Sequence, residues 1–184
     1  MIIFLDIDGV LCTRRSHLAG MQQGGMMESL DPIGIEMINY MCAVSKTPTY
    51  IVISSTWRIL HPDLPMIFRM LGLRGAFHPK WKTPDAFNKD ANRTLRGDDL
   101  NQWFDENGKD DYIILDDDED FYDDQKERLI VTDFDNGISF ENFKQAMLLL
   151  TDGNEQWWKL LGDNLPTGWL SANKQKTLTG EEHG

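Results

Sequence analysis

Asp6 and Asp8 stand one residue apart at the end of an unbroken apolar run, Met1 to Leu5, and Gly9 follows them directly. On extended backbone, side chains two apart point the same way, so both carboxylates can face one crevice beyond the strand end. Two acids that close repel unless a hard cation with oxygen ligands lies between them or one keeps its proton. Either arrangement belongs to a chemical site rather than to a polar turn. Two more apolar runs end in reactive groups. Tyr112 to Leu115 runs into Asp116-Asp117-Asp118-Glu119-Asp120, and Thr49 to Ile53 runs into Ser54-Ser55-Thr56-Trp57-Arg58. Acids placed directly after a buried strand share the crevice of Asp6 and Asp8 if the strands are parallel neighbours. A strand that ends in hydroxyls and opens into a helix offers O–H and N–H groups to phosphate oxygens.

Elements must hold these groups, and the pattern supplies them. The unbroken runs predict strands buried on both faces, as in a parallel sheet. Between the first two, Thr13 to Asp31 carries no period and reads as a loop or small flap. Pro32 to Val44 then spaces Ile35, Ile38, Met41 and Cys42 as a crossover helix with Pro32 in its first turn. His61 to Gly75 reads as a short helix packing on Leu64, Ile67, Phe68, Met70 and Leu71. Phe77 to Arg93, with Pro79 and Pro84, reads as irregular and carries Lys80, Lys82, Lys89 and Arg93. Asp99 to Glu106 supplies Leu100, Trp103 and Phe104 to a buried face and ends at Asn107-Gly108. Leu129 to Thr132 is a further strand, Asp135 to Gly137 a turn, and Ser139 the N-cap of a helix to Leu150 that turns Phe140, Phe143, Ala146, Met147 and Leu150 to the sheet. The alternation predicts an α/β fold, a doubly wound parallel sheet over residues 1–150 with four motif strands at its centre. Residues 151–184 form an extension, with Trp157, Trp158 and Leu161 in a short packed helix and a frayed end from Asn173.

With 184 residues, 41% hydrophobic and 26% charged, the chain can bury one good core, and no apolar run approaches a membrane span. A net charge of −12 argues against broad affinity for nucleic acid or anionic membrane. Cys12 and Cys42 are too few for a disulfide scaffold, and with no secretory signal the expected location is cytoplasmic.

The string Asp-x-Asp-Gly-Val-Leu behind an N-terminal apolar strand resembles the first motif of the haloacid dehalogenase (HAD) superfamily of aspartyl phosphohydrolases. The resemblance implies that Asp6 is the nucleophile and Asp8 the general acid and then base, roles that two neighbouring carboxyl groups can fill. It makes Ser54 the second-motif hydroxyl, with Ser55 as the alternative. Ser-Thr-Trp-Arg resembles the branch found beside RNA-repair enzymes, where Arg58 can fork onto a phosphate or a neighbouring acid; Ser55 and Arg58 are the substrate-binding candidates. For the third-motif cation it favours Arg96, in Arg-Gly-Asp-Asp-Leu, with Arg93 and Lys89 in reserve. The fourth motif falls on Asp116, as a direct Mg²⁺ ligand, and on Asp117 through water or from behind; Asp120 is a third candidate. Mg²⁺ would lie on Asp6, on Asp116 and on the Asp8 backbone carbonyl. The implied fold is a HAD-like Rossmannoid with a small cap or none, and hence an open site. The expected activity is Mg²⁺-dependent phosphomonoester hydrolysis through an aspartyl phosphate, on 3′-phosphate ends of nucleic acid reached through a strip of cations from Arg58 and Lys80 to Arg96. The alternatives are a 5′-(deoxy)nucleotidase of mononucleotides and a catalytically idle binding module of a repair assembly.

Overall fold

Ile2–Leu5 forms β1, whose four side chains are at most 1% exposed, as expected of a strand with neighbours on both edges and helices on both faces. The computed structural model describes residues 1–20, 29–45, 47–84 and 95–159. In chain order the other elements are α1 (Arg14–Gly20), α2 (Pro32–Val44), β2 (Tyr50–Ile53), α3 (Trp57–Leu60), α4 (Leu64–Met70), β3 (Ala76–Lys82), α5 (Gly97–Asn107), β4 (Tyr112–Asp116), α6 (Asp123–Lys126), β5 (Leu129–Val131) and α7 (Phe140–Leu150). The strands form one parallel sheet in the order β3-β2-β1-β4-β5, so the chain winds outward from β1 in both directions. That is the expected doubly wound α/β fold. The order reverses between β1 and β4, and the crevice of such a sheet opens there, at the C-terminal strand ends.

Period-two alternation assigns each strand residue to a face. Ile3, Leu5, Ile51, Ile53, Ile113, Leu115 and Ile130 pack with α2 and α7 in one cluster. Ile2, Phe4, Val52, Tyr112, Ile114 and Leu129 pack with Leu100, Trp103 and Phe104 of α5 in the other. Phe4 is the centre of that second face, edge-on to Trp103, Phe104 and Tyr112 with ring centroids 5.3 to 6.0 Å away. Local signals set the helix ends. Asp31 Oδ1 accepts from Ile33 N–H at 2.9 Å ahead of Pro32, and Ser139 and Asn142 cap α7 reciprocally.

The structure corrects several expectations. Phe77 to Lys82 is not irregular but belongs to β3, an edge strand with largely exposed side chains. An edge strand needs no apolar run and tolerates Pro79, because one rim makes no ladder bonds. The polar segment after Thr13 opens with α1, tied to the N-cap of α2 by the Arg15–Asp31 pair at 3.0 Å. Met70 is 80% and Phe140 43% exposed, so neither belongs to the packing face assigned to it; Met70 is the last residue of α4 and Phe140 the first of α7. Trp157 packs edge-on against Phe143 at 5.5 Å, joining the start of the C-terminal extension to the domain core. The expectations for Leu161 and for the end from Asn173 fall outside the described residues. No helix among the described residues is long and apolar enough to cross a membrane.

Candidate active site

The parallel ladder continues one residue past β1 and β2: Asp6 N–H donates to Leu115 O at 2.9 Å and Ser54 N–H to Leu5 O at 3.0 Å. Asp6, Ser54 and the last residue of β4, Asp116, thereby extend the rows of Phe4, Val52 and Ile114 on the α5 side of the sheet. α5 starts over those strand ends, and its N-cap residue is Arg96. The Arg96 Nη2 lies 3.1 Å from Asp6 Oδ1 and 3.2 Å from Asp116 Oδ2, and Nη1 lies 3.3 Å from Asp118 Oδ2. Arg96, the cation favoured for the third motif, thus stands at the start of a helix, which leaves three of the expected motif strands, β2-β1-β4, at the sheet centre rather than four. Lys89 and Arg93 lie outside the described residues.

Carboxylate oxygens of Asp6, Asp116 and Asp117 gather within 4.8 Å of one another. Asp118 N–H holds Asp116 Oδ1 at 3.0 Å, while Oδ2 is buried and makes no hydrogen bond among the described residues. A set of hard oxygen donors, with the buried Asp116 Oδ2 held only by its ion pair to Arg96, suits a hard divalent cation such as Mg²⁺. Asp120 stays outside the set: its Oδ2 accepts from Arg96 N–H at 3.3 Å, which fixes the start of α5. The Asp8 side chain also turns away, and its Oδ2 accepts from Trp57 Nε1–H at 2.9 Å. Asp117 lies against Gly9, whose φ of +69° is in the left-handed region; a Cβ there would come within 2.3 Å of Asp117 Cγ. Gly9→Ala is therefore expected to cost about 1–3 kcal/mol by chemical denaturation and to weaken metal binding by displacing Asp117; an unchanged metal titration would contradict this placement.

Burial drives the electrostatics. The Asp116 carboxyl is pushed up to about 8 by desolvation first and by the Asp6 charge second, against the pull of Arg96. Asp117 is raised by burial and then by Asp6, and Asp8 by burial, with the Trp57 hydrogen bond opposing. A carboxyl that holds its proton longer in the folded chain than in the unfolded one stabilises the fold fully below its ordinary value of 3.8 and loses that contribution as pH rises through the folded value. In the presence of chelator, melting temperature should fall as pH rises from about 4 to about 8, and excess Mg²⁺ should flatten the slope. A melting temperature that rises across that window in chelator would contradict it.

The turn that follows β2 distinguishes its two serines. Ser54 Oγ is buried without a hydrogen-bond partner among the described residues, whereas Ser55 Oγ accepts from Trp57 N–H at 3.4 Å. Ser54 is therefore the serine with an unspent hydroxyl. Arg58, 3% exposed, donates to the carbonyls of Ser54, Ser55, Thr83 and Pro84 and pairs with Asp99 Oδ2 at 2.7 Å. Of the two partners expected for it, the structure holds the neighbouring acid. The expected strip of cations is accordingly shorter, because Arg58 is buried and Arg96 lies on the acids. What remains described is Lys80 and Lys82 on β3, with Lys82 Nζ 5.4 Å over the Trp81 ring.

Sequence reasoning missed three neighbours of the site. Thr83 follows β3, and its Oγ1 is buried with no hydrogen-bond partner among the described residues; nothing in a polar segment marked it. The Cys12 thiol contacts Asp8. Trp57 stood in the Ser-Thr-Trp-Arg string without a role of its own, although an indole with a polar N–H so close to Ser54 was a usable signal. A separate cavity of about 740 Å³ opens at the N-terminal ends of β2 and β3, away from the acids. Its charged groups Arg74 and Glu36 pair at 2.6 Å, and burial pushes its Cys42 thiol up to about 12, so it holds no ready nucleophile.

Residues 2–143 match a family described as the HAD domain in Swiss Army Knife RNA repair proteins. Comparison with curated proteins and with solved structures produced no match.

Proposed function

We propose, because the chain belongs to the family of HAD domains in Swiss Army Knife RNA repair proteins, that it is a Mg²⁺-dependent phosphomonoesterase acting through an aspartyl phosphate on 3′-phosphate ends of nucleic acid. The observation that carries the reading is the convergence of Asp6, Asp116, Ser54 and Arg96 on one face of the sheet at its switch point. In the first step an Asp6 carboxylate oxygen attacks phosphorus, the ester P–O bond breaks, and the leaving oxygen takes the electron pair and the Asp8 proton to depart as an alcohol. In the second, water attacks the same phosphorus and gives its proton to Asp8, and the acyl P–O bond breaks to return the Asp6 carboxylate and free phosphate. Ser54 donates to a phosphoryl oxygen, and Arg96 balances the negative charge as it builds. Asp6, Asp116, Asp117 and the Asp8 backbone carbonyl would hold Mg²⁺, which when bound polarises the phosphoryl oxygens and screens them from the nucleophile.

The family name points to RNA repair, and two features of the chain agree with a polymer end. Among the described residues the segment between β1 and β2 adds only α1 and α2, and none of the described elements forms a cap domain over the crevice. Lys82 and Trp81 end the strand beside β2, where a cation and an aromatic face can meet a nucleotide backbone and base. Catalytic efficiency on an oligonucleotide 3′-phosphate, a mononucleotide 3′-phosphate and a mononucleotide 5′-phosphate, compared at several salt concentrations with Mg²⁺, tests the reading. The oligonucleotide should win by a margin that shrinks as salt rises. A mononucleotide that does as well, or a margin indifferent to salt, favours a nucleotidase. Three inert substrates favour the idle repair module.

A further inference from the structure

Resting on the phosphatase reading, we infer that Trp57 positions the general acid: its indole N–H fixes the Asp8 carboxyl in the orientation that delivers a proton to the leaving group. Trp57 opens α3, three residues after Ser54, so the turn that presents the phosphate hydroxyl also presents the indole. The Nε1–H reaches 49 positions back to Asp8 Oδ2 at 2.9 Å. The ring is held in place, being 8% exposed, packed in the α2 and α7 cluster and tilted against His61 at a centroid distance of 5.4 Å. Asp8 by contrast is only half-buried and sits on a loop, so without a fixed partner its carboxyl would sample several rotamers.

The choice of donor matters. An indole N–H can donate but cannot accept, so it orients a carboxyl without competing for the proton that the carboxyl must carry. By engaging Oδ2 it fixes the plane of the carboxyl group and so the direction in which its proton is delivered. The Cys12 thiol also contacts Asp8, from the motif loop itself; of the two partners, Trp57 belongs to a different strand-end turn and so couples Asp8 to Ser54.

A residue that acts through the general acid and one that merely packs differ in their dependence on the leaving group. Nitrophenolate departs without a proton, whereas an alkoxide needs one. Trp57→Phe keeps an aromatic ring and removes the N–H. In first-turnover measurements of alcohol release, it should slow an alkyl phosphate about tenfold or more while leaving 4-nitrophenyl phosphate within about twofold of wild type. In an Asp8→Asn background the same change should add no further loss on either ester. If Trp57→Phe does not fold, replacing Trp57 by its benzothienyl isostere, with sulfur in place of N–H, makes the same comparison without a change of shape. Equal losses on both esters, or losses that multiply with Asp8→Asn, overturn the inference and leave the phosphatase reading standing. Wild-type protein that cleaves neither these esters nor an oligonucleotide 3′-phosphate overturns both.

Discussion

Asp6→Asn is expected to reduce phosphate-ester hydrolysis to below about one per cent of wild type and to abolish trapping of phosphate on the protein. The carboxamide keeps the shape of the side chain and its ladder position, since the Asp6 N–H bond to Leu115 O does not involve the substituted group. It lacks the anionic oxygen that attacks phosphorus in the proposed mechanism. The substitution also removes the negative charge that raises Asp116 and Asp117, so the melting temperature in chelator should depend less steeply on pH than in wild type. The two readouts separate the nucleophile from the scaffold. A variant that folds, shows the shallower pH slope and still turns over at several per cent would mean that another group attacks phosphorus.

How much of this was legible in the sequence depended on whether a residue's role left a mark on its type. An acid directly after four buried apolar residues has no packing explanation, so Asp6 and Asp116 stood out, and period-two alternation carried them to the face that the structure shows. Strand β3 left no such mark. At a sheet edge, Ala76 to Lys82 needs no apolar run, and its Pro79 argued for a loop. Arg96 was favoured among several scattered cations by a resemblance rather than by any local physics; what places its guanidinium between Asp6 and Asp116 is the start of α5 over the strand ends, a tertiary fact. Trp57 was ambiguous for another reason: one side chain both packs against His61 and donates to Asp8, and residue type alone cannot separate the two. Arg58 was read toward either a phosphate or an acid, and the deciding partner, Asp99, lies 41 positions away on another element.

That ion pair supplies the largest stability effect expected of a single change. Arg58 and Asp99 meet at 2.7 Å with side chains 3% and 10% exposed, and Arg58 also serves four backbone carbonyls, at Ser54, Ser55, Thr83 and Pro84. Arg58→Met preserves length and much of the volume but takes the guanidinium from the buried Asp99 carboxylate and from these carbonyls, of which Ser55 O keeps the Arg58 backbone N–H at 3.1 Å. The expected cost is about 3–5 kcal/mol, or roughly 10 °C in melting temperature for a chain of this size. Because Arg58 ties the Ser54 turn to the helix that begins at Arg96, catalytic turnover should fall together with stability. Adding Asp99→Leu removes the carboxylate but does not restore the guanidinium hydrogen bonds to the carbonyls, so the double variant should recover part of the loss and not all of it. Full recovery would show that the charge alone matters; a loss below about 1 kcal/mol in the single variant would put the pair among exposed salt bridges that hold little together.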